Sequence, residues 1–313
     1  MVALAAAGAL ASSGTAYVGA RNLLIGQAAK ARSLIPKSWD VPPRADGVYA
    51  PGGGPVQRWQ RGMSVDLHLM VFGDSTATGY GCRTAEEVPG VLIARGLAEQ
   101  SDKRVRLSTK AIVGATSKGL SGQVDAMFVA GPPPDAAVIL VGANDVTALN
   151  GTRASARRLG AAVRRLCASG AEVVVATCPD FGVVRAIPQP LRWTVRTLGL
   201  RLARAQSGAV RAAGGVPVPL ASLVNDEFRH SPHLMLSEDQ FHPSAAGYAL
   251  AASQLLPALC NALGEFSGEQ TPALASSTAT EAGPGHPLVR LFSRLWRRPT
   301  TGVPAPIVVA APG

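Results

Sequence analysis

Apolar residues gather into five short runs between residues 65 and 220, and longer amphipathic stretches separate them. The runs are 65–72 (VDLHLMVF), 104–113 (RVRLSTKAIV), 136–141 (AAVILV), 172–178 (EVVVATC) and 216–220 (VPVPL). Their length and β-branched content predict strands. The segments 85–100, 154–168, 190–213 and 244–263 carry apolar positions three and four apart and predict helices. Strands alternating with helices imply right-handed βαβ units. The expected fold class is therefore α/β, a three-layer α/β/α sandwich around a five-stranded, mostly parallel sheet. Such folds place ligands at the carboxyl ends of the strands.

The flanks of this core differ in composition. Residues 1–35 open with an uncharged stretch, 2–20 (VALAAAGALASSGTAYVGA), about long enough to span a bilayer. It reads as a signal-anchor or as a structural helix. No basic residue precedes it, and Arg21, Lys30, Arg32 and Lys37 follow it, which by the positive-inside rule favours the cytoplasmic side. Residues 36–62 are rich in Pro, Gly and Arg and read as a connector to a domain at 63–264. Residues 265–313 have the composition of a disordered tail. Within it, HPLVRLFSRLWRR (286–298) spaces Leu288, Leu291, Phe292 and Leu295 between arginines, as in a helix lying on a membrane surface.

Charge narrows the partners. Thirty Lys and Arg against twenty Asp and Glu give a formal net charge of +10, and only five of the thirty are lysines. The basic residues read as scattered over helix faces and tails. With aromatics at 5% and no nucleic-acid-reading motif, the charge points to an anionic membrane surface and away from nucleic acid. The four cysteines, Cys82, Cys167, Cys178 and Cys260, form no C-x-x-C pair; Cys167–Cys178 is the nearest pairing should a disulfide form, and buried free thiols are the alternative.

Four glycine-flanked polar turns fall at one predicted edge of the sheet. Gly73-Asp74-Ser75 follows the first run, Gly114 the second and Gly142-Ala143-Asn144-Asp145 the third; Asp239-Gln240-Phe241-His242-Pro243 precedes the last helix. Ser75 is either a helix cap or a nucleophile awaiting a base. His242 is the natural base, because it alone among five histidines has an acid three residues upstream and a proline after it. Asp239 can orient that imidazole or cap the last helix, with Asp226 and Asp180 as substitute acids. The backbone N–H groups of Ser75 and Gly114 and the Asn144 amide supply three candidate donors to an oxyanion; turn chemistry alone is the other account of Gly114 and Asn144. Asp74, with Thr76 and Tyr80 in the turn at 76–83, and Phe181, Val183 and Val184 in the loop at 180–190, are candidates for a substrate pocket.

Jointly the motifs GDS, Gly114, GAND and DQFHP resemble the four blocks of the SGNH (GDSL) hydrolase family over residues 65–263. The resemblance implies a flavodoxin-like sandwich, Ser75 as nucleophile, His242 as base, Asp239 as its orienting acid, and an oxyanion hole from Ser75, Gly114 and Asn144. It implies hydrolysis of carboxylic esters through an acyl-enzyme. The alternatives are an acyltransferase or deacetylase acting on envelope lipid or glycan, and a non-catalytic envelope-binding protein. The N-terminal flank and the stretch WDVPPRADGVY are similar to those of membrane-associated actinobacterial members, mycobacterial cell-wall esterases among them, which implies an extracytoplasmic envelope location. No H-E-x-x-H or clustered-carboxylate pattern occurs, so neither metal nor other cofactor is expected, and the chain is expected to act as a monomer on an ester substrate. Glycine precedes the serine but does not follow it at the second position, unlike the Gly-x-Ser-x-Gly elbow of α/β-hydrolases.

Overall fold

The computed structural model describes residues 18–31, 33 and 41–265. Its centre is β2 (Leu67–Gly73), whose seven residues are all buried, as a parallel strand covered on both faces requires. Parallel neighbours β3 (Val105–Thr109) and β4 (Ala136–Leu140) flank it, and β5 (Glu172–Ala176) and β6 (Val216–Val218) extend the sheet beyond β4. The chain thus winds one way from β2 to β3 and the other way from β4 onward, the flavodoxin order. The five predicted strands are all present.

The sheet nevertheless has six strands, not five. β1 (Gly47–Tyr49) pairs antiparallel with β3, Gly47 opposite Leu107 and Tyr49 opposite Val105. It arises inside the stretch 36–62; Val48 and Tyr49 of the strand, and Ala45 just before it, are buried. Covering the edge of β3 removes a row of open backbone groups.

Period-two alternation splits the core into two layers. Leu69 and Val71 of β2 face α3 (Pro89–Ser101) and α11 (Ala245–Leu263), with Leu97, Leu255 and Leu259 among the residues filling that side. Met70 and Phe72 face α4 (Leu120–Ala130), α6 (Thr152–Ala168) and the end of α7 (Leu191–Arg211), against Met127, Leu159, Val163 and Val210. Ahead of the sheet, helix α1 (residues 18–31) buries Ala28 and Ala31. Its Gln27 side chain accepts from the Leu191 N–H at 3.0 Å and donates to the Gln189 carbonyl.

Most of the apolar stretch 2–20 and the basic stretch 286–298 lie outside the described residues. Among the described residues, no helix is long and apolar enough to cross a membrane. All four thiols are free, so the Cys167–Cys178 pairing is not made; Cys178 is fully buried beyond the end of β5 while Cys167 sits partly exposed at the end of α6.

Candidate active site

The carboxyl end of β2 is held tightly. Gly73 adopts φ +133°, where a Cβ would stand 1.9 Å from the Leu140 carbonyl oxygen, so only glycine lets β2 and β4 approach this closely. Buried Gln123 of α4 clasps the same residue, accepting from the Gly73 N–H at 2.9 Å and donating to its carbonyl at 2.8 Å. One helical turn, α2 (Ser75–Thr78), starts immediately afterwards. Asp74 is its cap, accepting from the Thr76 N–H at 2.9 Å. Capping therefore falls to the aspartate and leaves the Ser75 hydroxyl for another partner.

That partner is His242, whose Nε2 lies 3.0 Å from Ser75 Oγ. Its Nδ1 lies 2.6 Å from Asp239 Oδ2. A carboxylate can only accept, so the shared proton sits on Nδ1 and Nε2 is left as the acceptor for the serine hydroxyl. Asp239 is itself fixed by three donors to Oδ1: the Ser237 hydroxyl at 2.7 Å and the N–H groups of Phe241 and His242 at 2.9 Å. Burial pushes the Asp239 carboxyl up, but these hydrogen bonds and the one from His242 outweigh it and bring its pKa down to about 2. Ser244, not Asp239, caps α11, accepting from the Gly247 N–H at 3.2 Å. Neither substitute acid is bonded to His242: Asp180 accepts from the Gly182 N–H and pairs with Arg196 at 2.9 Å, and Asp226 is exposed.

Aromatic rings fix the imidazole plane. Tyr80 lies against it with centroids 4.5 Å apart, and Phe241 meets it edge-on at 5.1 Å. The Tyr248 hydroxyl of α11 donates to the Tyr80 carbonyl at 2.7 Å, tying this support to the last helix.

On the other flank Asn144 opens α5 (Ala143–Thr147), and its Nδ2 donates to the Ala115 carbonyl at 2.9 Å, joining the Gly114 and Asn144 turns. Gly114 is exposed with φ +80° and no atom within 4 Å of where a Cβ would stand. Among the described residues, no protein acceptor meets the Ser75 or Gly114 backbone N–H. Asp145 is buried and accepts from the Ser117 N–H, from the hydroxyls of Ser117 and Ser155 at 2.7 Å each, and from Asn150 at 3.1 Å.

A mostly apolar cavity of about 110 Å³ opens beside Ser75 and His242. Phe181, Val183 and Val184 line it as the sequence suggested, with Asp74 and Thr76 at its base. Tyr80 does not; it borders a separate groove that Asp239 also lines. Sequence reading missed the opposite wall, where Val224 precedes α9 (Asn225–His230) and Phe228 lies within it, just after the single turn α8 (Leu220–Leu223). It also missed Leu236, at the end of the single turn α10 (Pro232–Met235). These residues belong to a string of short turns without sustained periodicity. Ser237 helps to orient Asp239 through its hydroxyl.

Residues 71–250, spanning all four motifs, match the GDSL-like lipase/acylhydrolase family. The chain belongs to that family. This GDSL-type carboxylic ester hydrolase is 66% identical over 307 residues, 97% of each chain, to a protein of Mycobacterium tuberculosis (strain H37Rv) named the GDSL-like esterase Rv1075c. Solved structures similar in fold include LAE5, an alpha/beta hydrolase enzyme from the metagenome of Lake Arreo in Spain, at 19% identity and TM-score 0.50 over 66% of this chain and 99% of that one. A catalytic mutant of Axe2, an acetylxylan esterase from Geobacillus stearothermophilus, matches at 16% identity and TM-score 0.50 over the same shares. The fold class expected from the sequence stands, with one strand added.

Proposed function

We propose that this GDSL-type enzyme hydrolyses carboxylic esters through an acyl-enzyme on Ser75. The unbroken chain Ser75 Oγ–His242 Nε2 and His242 Nδ1–Asp239 Oδ2, at 3.0 and 2.6 Å, carries the reading. Ser75 Oγ attacks the ester carbonyl carbon while its proton passes to Nε2. Asp239 stabilises the imidazolium that forms. The oxyanion receives the Ser75 and Gly114 N–H groups and the second hydrogen of the Asn144 amide, the first being held by Ala115. Collapse breaks the carbon–oxygen bond of the ester, and the imidazolium gives its proton to the departing alkoxide. Water then attacks the acyl-enzyme with His242 as base, releasing the acid and restoring Ser75. The cavity walled by Phe181, Val184 and Phe228 receives the acyl chain.

Hydrolysis of p-nitrophenyl esters from acetate to palmitate tests this, run beside Ser75→Ala. Wild type should turn over, the variant should fall at least about 10³-fold, and the preferred chain length should measure the cavity. Equal rates in the two proteins would refute the assignment of the nucleophile.

A further inference from the structure

The surplus charge is not scattered over the chain. Helices α6 and α7 together hold ten arginines and no acidic residue: Arg153, Arg157, Arg158, Arg164 and Arg165 on the first, Arg192, Arg196, Arg201, Arg204 and Arg211 on the second. Taking these ten from the thirty basic residues leaves twenty, equal to the twenty acidic residues of the whole chain. The entire net charge of +10 is thus the charge of two helices that pack side by side on one face of the sheet.

Seven of the ten arginines are exposed and the other three half-buried. Among the described residues only two make ion pairs, Arg165 with Asp125 and Arg196 with Asp180. Arg153 and Arg157, and likewise Arg192 and Arg196, stand four apart on one helix, where like charges repel. The eight arginines without an ion pair leave their charge uncompensated within the fold, and an anionic surface laid against the layer would compensate it.

Exposed apolar side chains accompany these arginines. On neighbouring α4, Val129 is 90% and Phe128 44% exposed, and the Arg165 guanidinium lies 5.6 Å from the Phe128 ring centre. Trp193 of α7 is also 44% exposed. Arginine beside exposed aromatic and aliphatic groups suits a bilayer interface, where charges meet headgroup phosphates and apolar groups reach the acyl boundary.

We infer that the outer face of α4, α6 and α7 docks this enzyme on an anionic phospholipid bilayer. The test is co-sedimentation of the full chain with vesicles of phosphatidylcholine containing about one-third phosphatidylglycerol, against pure phosphatidylcholine. Wild type should bind the anionic vesicles at low salt, ignore the neutral ones, and come off at about 0.5 M NaCl. Each arginine near such a surface contributes roughly fivefold in affinity, so Arg153→Gln/Arg157→Gln/Arg164→Gln should bind about 100-fold more weakly. A control of equal charge, Arg44→Gln/Arg58→Gln/Arg61→Gln, removes exposed arginines elsewhere and should bind within a few-fold of wild type. Turnover of a soluble p-nitrophenyl ester checks that both variants are folded. Failure of wild type to bind anionic vesicles overturns the inference without recourse to any variant. Equal loss in both triple variants, or none in the α6 variant, overturns it as well, because net charge or another segment would then be responsible. Tighter binding to heparin or duplex DNA than to the vesicles at matched salt would make the partner a soluble polyanion and equally refute docking on a bilayer.

Discussion

Replacing Asp74 with Asn should make the folded protein more stable relative to wild type as pH rises. Asp74 is 1% exposed, and burial pushes its carboxyl from 3.8 up to about 6, against the hydrogen bonds of Thr76, the field of His242 and the Gly142 N–H. The native state therefore holds this proton to higher pH than the unfolded chain does. Its contribution to stability is complete below about pH 4 and lost as pH rises through about 6. A displacement of about two pK units corresponds to about 3 kcal/mol. Asn cannot titrate, so the stability of Asp74→Asn minus that of wild type should climb by about 3 kcal/mol between about pH 4 and about pH 7. Lost contacts to Thr76 and Gly142 add only a pH-independent offset, and titrating groups that do not feel the Asp74 charge cancel in the difference. Urea unfolding followed by tryptophan fluorescence at four pH values gives the comparison. A difference that stays flat, or falls, across that range would show that Asp74 does not carry a costly buried charge above pH 6.

The remaining expectations concern its neighbours. Asp239→Asn keeps the size of the side chain but lets the imidazole take the wrong tautomer. It should lower kcat by about 10³–10⁴-fold while KM moves only a few-fold, read from steady-state hydrolysis of a soluble ester. Gly73→Ala drives a methyl group to 1.9 Å from the Leu140 oxygen at φ +133°. A loss of more than about 3 kcal/mol in urea unfolding is expected, and wild-type stability would contradict the close strand approach.

Legibility in the sequence followed the range of the interactions. The central strands announce themselves because burial on both faces demands an unbroken apolar run, as in LHLMVFG. Ser75, Asp239 and His242 were readable because each stands in a turn between predicted elements, and the structure brings all three together. β1 was not, since three residues among prolines and glycines carry no period, and its pairing partner lies some sixty residues away. The cavity wall from Val224 and Phe228 was hidden for a similar reason. Tyr80 was read as a pocket residue because of its position in the chain, yet it serves as a platform for His242. The arginines of α6 and α7 were visible one by one, but that they form one layer depends on how the two helices pack.

The distance along the chain between Ser75 and His242, 167 residues, has a consequence for how this enzyme comes into being. Synthesis delivers the serine long before the imidazole. His242 is braced by Tyr80, which in turn is held from α11, and α11 packs across α3 at the front of the domain. A chain that ends before His242 leaves the Ser75 hydroxyl without this partner. The Ser75–His242–Asp239 chain of hydrogen bonds thus exists only when both ends of the domain are in place together.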